Sequence, residues 1–269
     1  MTPNKKIALV FSGGGARGAY QVGAWEAMEE LGLLPYIGGV YGTSVGAING
    51  AAFVQGDIQL TKDIWAHLDQ SNVFADIPDD DDISIRKKYY EWLKGAVLNG
   101  GMDVSPLKDR LREGLSETKI RQAEMDYGLV TFDLSARKPK YLLKSDIPKG
   151  KLVEYVIASA TFPTFQPHKI GERRYIDGGI YDNRPLHFVE QQDDINICIC
   201  VDVTAARYFW PSKTLKNHKV YYIRPSRLLG SPLSFVPRRI EQNMRLGYKD
   251  AKRQLAGLRV RLAKTTSFQ

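Results

Sequence analysis

ALVFSGGGARGAYQ, residues 8–21, carries an apolar run that stops at Phe11, glycines at 13, 14, 15 and 18, and then a helix-like segment. KIALVFS has the length and apolarity of a buried strand, and the glycines end it. In GAYQVGAWEAMEEL, Tyr20, Ala24, Ala27 and Leu31 recur near the helical period, and Gly32 is a natural stop. The pattern then repeats. YIGGVYG predicts a second short strand, and VGAINGAAFV predicts a second helix, apolar nearly all round and therefore buried. Strand–helix–strand–helix predicts an α/β fold of three layers, a mostly parallel central sheet flanked by helices.

The rest of the chain extends this plan. Residues 57–120 read as mainly helical, with a loop at ADIPDDDD. Asp79 to Asp82 stand in a row without ligand-like spacing, so they read as a solvated loop or helix start, and no metal is expected. YGLVTFDLSA and KPKYLLKS form a predicted hairpin around Ala136–Lys138. LVEYVIASATF predicts a helix ended by Pro163, ERRYIDGGIYDNRP a strand running into a glycine-rich loop, and NICICVDV and KVYYIRPS two more strands. In the last long segment Ile240, Met244, Tyr248, Ala251, Leu255, Leu258 and Leu262 form one helical stripe with basic flanks. Such a stripe either docks on the core or lies on a membrane surface.

The 269 residues carry a net charge of +8, unevenly spread. Residues 203–269 hold +13 and residues 1–202 hold −5, so the basic end offers a surface for lipid or nucleic-acid phosphates. Cys198 and Cys200 are two apart on a strand, share one face and cannot bridge each other, which fits reduced core residues and a cytoplasmic setting. No secretory leader and no membrane-spanning run is read in the sequence.

Two glycine-rich turns carry the chemistry. Gly13-x-Gly15-x-x-Gly18 matches a dinucleotide fingerprint. The acid expected about 20 residues on, to hold a ribose, is missing: that region reads YIGGVYGTS. Gly42-Thr43-Ser44-Val45-Gly46 is a G-x-S-x-G between a predicted strand and a predicted helix, the context of a nucleophile elbow. The unscreened amides of Gly13–Gly15 then suit a transient oxyanion better than a pyrophosphate. The base for Ser44 has two readings. One is a histidine, among His67, His168, His187 and His218, none in a diagnostic setting; the other is Asp177, at a strand end before Gly178-Gly179.

Taken together, GGGARGAYQVGAW, GTSVGAING and DGG, with ASATFP at 158–163, DGGIYDNRP at 177–185 and the closing LGYKDAKRQL, resemble the patatin-like phospholipase family over almost the whole chain. The resemblance implies a serine lipid acyl hydrolase with a Ser–Asp dyad. Ser44 matches the nucleophile, Asp177 the base, and Gly13, Gly14 and Gly15 the oxyanion loop, with Arg17 in its basic position and suited to a lipid phosphate. It implies no cofactor, a phospholipid or other acyl-lipid substrate, and a cytoplasmic enzyme that visits a membrane surface, with room for a regulatory partner that no residue identifies. One domain over 1–269 is expected, its core at about 5–200 and its basic strand and helix 203–269 docked on it. RYFWPS, with Tyr208, Phe209 and Trp210, is a candidate membrane contact. The rivals are a nucleic-acid-binding protein working through the basic tail, and a histidine-dependent α/β-hydrolase.

Overall fold

The computed structural model describes residues 7–75, 100–192, 194–204 and 215–258. Asp79–Asp82, the RYFWPS stretch and Leu262 lie outside these residues. The strands are β1 (Ile7–Phe11), β2 (Ile37–Thr43), β3 (Asp126–Asp133), β4 (Lys138–Leu143), β5 (His168–Ile170), β6 (Arg173–Asp177), β7 (Ile197–Val201) and β8 (Lys219–Ile223). The helices are α1 (Ala19–Glu30), α2 (Val45–Gln55), α3 (Ile58–Ala66), α4 (Ser105–Gly114), α5 (Glu117–Gln122), α6 (Leu152–Ser159), α7 (His187–Glu190) and α8 (Pro237–Leu255).

The strands form one sheet in the order β5-β6-β3-β2-β1-β7-β8, with β4 also on β3. The β1–β2, β1–β7, β2–β3 and β7–β8 pairs are parallel; β4, β5 and β6 join antiparallel. The predicted α/β fold with a mostly parallel sheet is therefore the observed one. Alternate residues of β1 serve opposite faces. Ile7, Leu9 and Phe11 pack with α1 and α2, while Ala8 and Val10 pack with Cys198, Cys200, Leu186 and Phe188. Both faces are dry, which explains the unbroken apolar runs. Both cysteines are free and buried there.

One register detail organises the site. Gly128, Leu129 and Val130 pair with both β4 and β2, so those strands lie on opposite edges of β3. Thr131, Phe132 and Asp133 pair with both β4 and β6, so β6 shares the edge used by β2. Along that edge β2 ends at Thr43, opposite Val130, and β6 ends at Asp177, opposite Thr131. The two strands run toward each other and their carboxyl ends meet.

The apolar stripe of α8 docks on α1. Ile240, Ala251, Leu255 and Leu258 are buried, and Met244 and Tyr248 are half-buried. The crossing is close enough that a Cβ on Gly23 would fall 1.8 Å from the Met244 carbonyl oxygen, and one on Gly247 1.9 Å from that of Tyr20. Two facing glycines let backbone meet backbone. Across the seam the Tyr20 hydroxyl donates to Asp250. Several tail cations are engaged here, Lys252 with Glu30 and Arg253 with Asp250. No helix among the described residues is long and apolar enough to cross a membrane.

Candidate active site

Ser44 is the residue between β2 and α2. Its backbone is left-handed, φ 59° and ψ −131°, a conformation that costs a non-glycine residue about 1–3 kcal/mol. The turn is tight because its neighbours have no side chains. A Cβ on Gly42 would sit 2.1 Å from the Gly46 carbonyl oxygen, and one on Gly46 2.3 Å from that of Phe11. The strain is held by a clamp from α6: the Ser44 amide donates to Ser159 Oγ at 3.0 Å, and that hydroxyl donates to the Val130 carbonyl at 2.7 Å. Ser159 thus stands where the ends of β2 and β6 meet.

Asp177 faces this turn from the other strand. Its amide donates to the Thr161 carbonyl at 2.7 Å, and its carboxylate accepts the Gly179 amide at 2.7 Å. The residue is 3% exposed. Burial pushes the carboxyl up to about 6; the Ser44 hydroxyl and the Gly179 amide both favour the anion and moderate the rise. Among the described residues no cation contributes to it.

The first glycine loop approaches from β1. The Gly13 amide donates to the Asn183 carbonyl at 3.2 Å, and the Asn183 side chain donates back to the Gly13 carbonyl at 3.3 Å. The Gly13 amide therefore already has an acceptor. Gly13 is spent as a hinge to the loop after Asp177, whereas the Gly14 and Gly15 amides donate to nothing among the described residues. The tail completes this loop: the Pro232 carbonyl accepts the Ala16 amide at 2.8 Å, and the Gly230 carbonyl accepts Arg17 Nε at 2.7 Å. Half-burial pulls the Arg17 guanidinium below its usual value, and its terminal nitrogens donate to nothing among the described residues.

A buried amide chain supports the loop from below. Trp65 Nε1 donates to Asn49 Oδ1, Asn49 Nδ2 to Gln21 Oε1 and the Gly18 carbonyl, and Gln21 Nε2 to the Ser12 carbonyl at 2.7 Å. Sequence reasoning passed over Ser159, Asn183, Gln21 and Asn49 as site residues. Ser159 and Asn183 lie inside the quoted ASATFP and DGGIYDNRP stretches; the amides of Gln21 and Asn49, each flanked by apolar or small residues, are the remaining signal.

Ser44, Asp177, Gly13, Gly14, Gly15 and Arg17 all line one cavity of about 410 Å³, whose walls are otherwise largely apolar. The four histidines do not line it. His168 binds Glu154, His218 lies by the Gln192 carbonyl, His187 by Gln191, and His67 by the Asp63 carbonyl at the end of α3. Among the described residues no three metal-ligating side chains converge.

This arrangement has relatives. An uncharacterized NTE family protein of Mycobacterium bovis is 29% identical over 67% of this chain and 44% of its own length. Another, of Mycobacterium tuberculosis, is 30% identical over 78% of this chain and 32% of its own. Patatin-like phospholipase domain-containing protein 7 of the rat is 29% identical over 73% of this chain and 13% of its own. The chain thus spans less than half the length of these curated relatives. Among solved structures, human GIVD cytosolic phospholipase A2 superposes with a TM-score of 0.58 at 10% identity, over 99% of this chain and 61% of that one. VipD from Legionella pneumophila does so with 0.55 at 16%, over 95% and 67%. These two share the fold. The patatin-like phospholipase family model matches residues 9–189, two-thirds of the chain with Ser44 and Asp177 inside it, and the chain belongs to that family.

Proposed function

We propose that this protein is a serine acyl hydrolase that cleaves carboxylic esters of phospholipids or related lipids through a Ser44–Asp177 dyad. The observation that carries the reading is the head-on meeting of β2 and β6, which sets a strained serine beside a buried carboxylate that no cation neutralises. Asp177 takes the Ser44 proton as Oγ adds to the ester carbonyl carbon. The Gly14 and Gly15 amides receive the oxyanion, each donor contributing about 3 kcal/mol. The ester C–O bond breaks and the departing alcohol takes the proton from Asp177. Water, deprotonated by Asp177, then attacks the acyl-enzyme, and the proton returns to Ser44 as the fatty acid leaves. Arg17 is placed to meet a phosphate with its free nitrogens.

In this reading the basic end serves the same site, since the Gly230 and Pro232 carbonyls hold the loop that carries Arg17. The lipid comes from a membrane surface. Phe162 and Ile180 line the cavity yet are 38% and 48% exposed, and Tyr181 beside them is 57% exposed. Such an apolar rim suits an interface with lipid.

A fluorophosphonate label followed by peptide mapping, with fatty-acid release from phosphatidylcholine vesicles, tests the reading. The label lands on Ser44, and Ser44→Ala abolishes both label and release. A label on another residue, or release that survives Ser44→Ala, overturns it.

A further inference from the structure

The cavity does not merely surround Ser44; it follows one helix. Val45, Ile48, Asn49, Ala52 and Gln55 all line it, at spacings that define a single face of α2 from its first residue to its last. That face is apolar in effect. Asn49, its one polar member before the far end, spends its amide on Gly18, Gln21 and Trp65. At the far end Gln55 Nε2 donates to the Gly114 carbonyl at 3.1 Å and its Oε1 accepts the Ser116 amide at 2.7 Å. These bonds tie the end of α2 to the turn between α4 and α5, and Leu111 and Leu115 pack beside them as cavity wall. Ser44 and Asp177 line the cavity at one end of the helix, and the Gln55 bonds to Gly114 and Ser116 cross its other end.

We propose that α2 is a ruler for the acyl chain. Resting on the hydrolase reading above, it assigns the chain to the cavity, with the ester carbonyl at Ser44 and the methyl end at Gln55. Eleven helical steps of 1.5 Å separate Ser44 from Gln55, about 16 Å. An extended chain advances about 1.2 Å per bond, so the helix measures about 12–14 carbons. Ile48 stands one turn from Ser44 and Ala52 two turns, at about 6 and about 12 Å. The substrate class is therefore a lipid with a medium-length acyl chain, and Ile48, Ala52 and Gln55 set the limit.

The test is the chain-length profile of kcat/KM on p-nitrophenyl butyrate, octanoate, laurate and palmitate. The unmodified protein prefers laurate over palmitate. Ala52→Trp lowers the laurate-to-octanoate ratio at least about tenfold, since each excluded methylene forfeits its own contribution. Ile48→Trp moves the preference further, to butyrate. Gln55→Ala acts in the opposite sense and raises the palmitate-to-laurate ratio. Labelling of each variant by a small fluorophosphonate reports a folded site. Ratios that stay constant in all labelled variants, or palmitate preferred from the start, overturn the ruler. Hydrolysis of these esters that persists in Ser44→Ala instead overturns the dyad on which it rests, so the two failures are distinct.

Discussion

Asp133 and Asp177 end neighbouring strands of one sheet, two register steps apart, and both are cut off from water at 0% and 3% exposure. Their acidities move in opposite directions. At Asp133 burial pushes the carboxyl up, but the Ala136 amide at 2.9 Å and the Arg173 guanidinium at 2.7 Å outweigh it, and the group ends below the usual carboxylate range. At Asp177 burial prevails and the group rises to about 6, because its neighbours are a hydroxyl and an amide and not a cation. Burial alone does not make a base. A paired carboxylate has spent its proton affinity on its partner, whereas one buried without a cation keeps it.

Replacing each acid by its amide separates the two. Asp177→Asn removes the proposed proton acceptor and is expected to lower kcat/KM about ten-thousandfold. The same change relieves a cost. Holding the anion about two pKa units above its ordinary value costs the fold about 3 kcal/mol, so the variant should resist urea better than the unmodified protein at pH 8. Asp133→Asn should do the reverse. It leaves a hydrogen-bonded guanidinium without its anion and lowers stability, with kcat/KM within a few-fold. Urea titration and ester hydrolysis on both variants check this; two acids that behave alike would erase the distinction.

The distinction also has a pH signature. The folded value of Asp177, about 6, lies above its unfolded value, so its contribution to stability is complete below the unfolded value and is lost as pH rises through about 6. Activity moves the other way, since the base must be ionised. A kcat/KM profile should rise through about 6 and fall about tenfold for each unit below it. Asp133, whose folded value is depressed, gives stability that is present at neutral pH and fades in acid. A profile with its inflection near the ordinary carboxylate value would deny Asp177 its special environment.

Much of this could be read from the sequence, for reasons that the two acids illustrate. The β1–α1 and β2–α2 units announce themselves because a strand, a glycine turn and a helix are contiguous, and Ser44 came with them. Asp177 stood out only through its Asp-Gly-Gly. What brings it to Ser44 is an antiparallel strand sharing an edge with a parallel one, and a pairing between residues 131 and 177 leaves no periodic trace. The occupied Gly13 amide was hidden for the same reason, since its acceptor is the carbonyl of Asn183. The stripe of α8 was visible, but the Gly23–Gly247 contact that sets how closely it docks needs both helices in view.

The smallest effect expected concerns the exposed loop before Gly230. Leu228 is 92% exposed, and a single exposed leucine is unremarkable by itself. Its position is the point. It lies two residues before Gly230, whose carbonyl holds Arg17 at the cavity, and beside the basic Arg227. Where this loop meets a bilayer, Leu228 is an apolar side chain available to anchor it. Leu228→Asp should therefore lower fatty-acid release from anionic vesicles about three- to fivefold, by removing an apolar anchor and adding repulsion. Hydrolysis of a dispersed short-chain ester should change by less than about twofold, because the loop backbone and its bond to Arg17 are untouched. Equal losses on both substrates would place Leu228 with the packing of the loop and remove it from the membrane face.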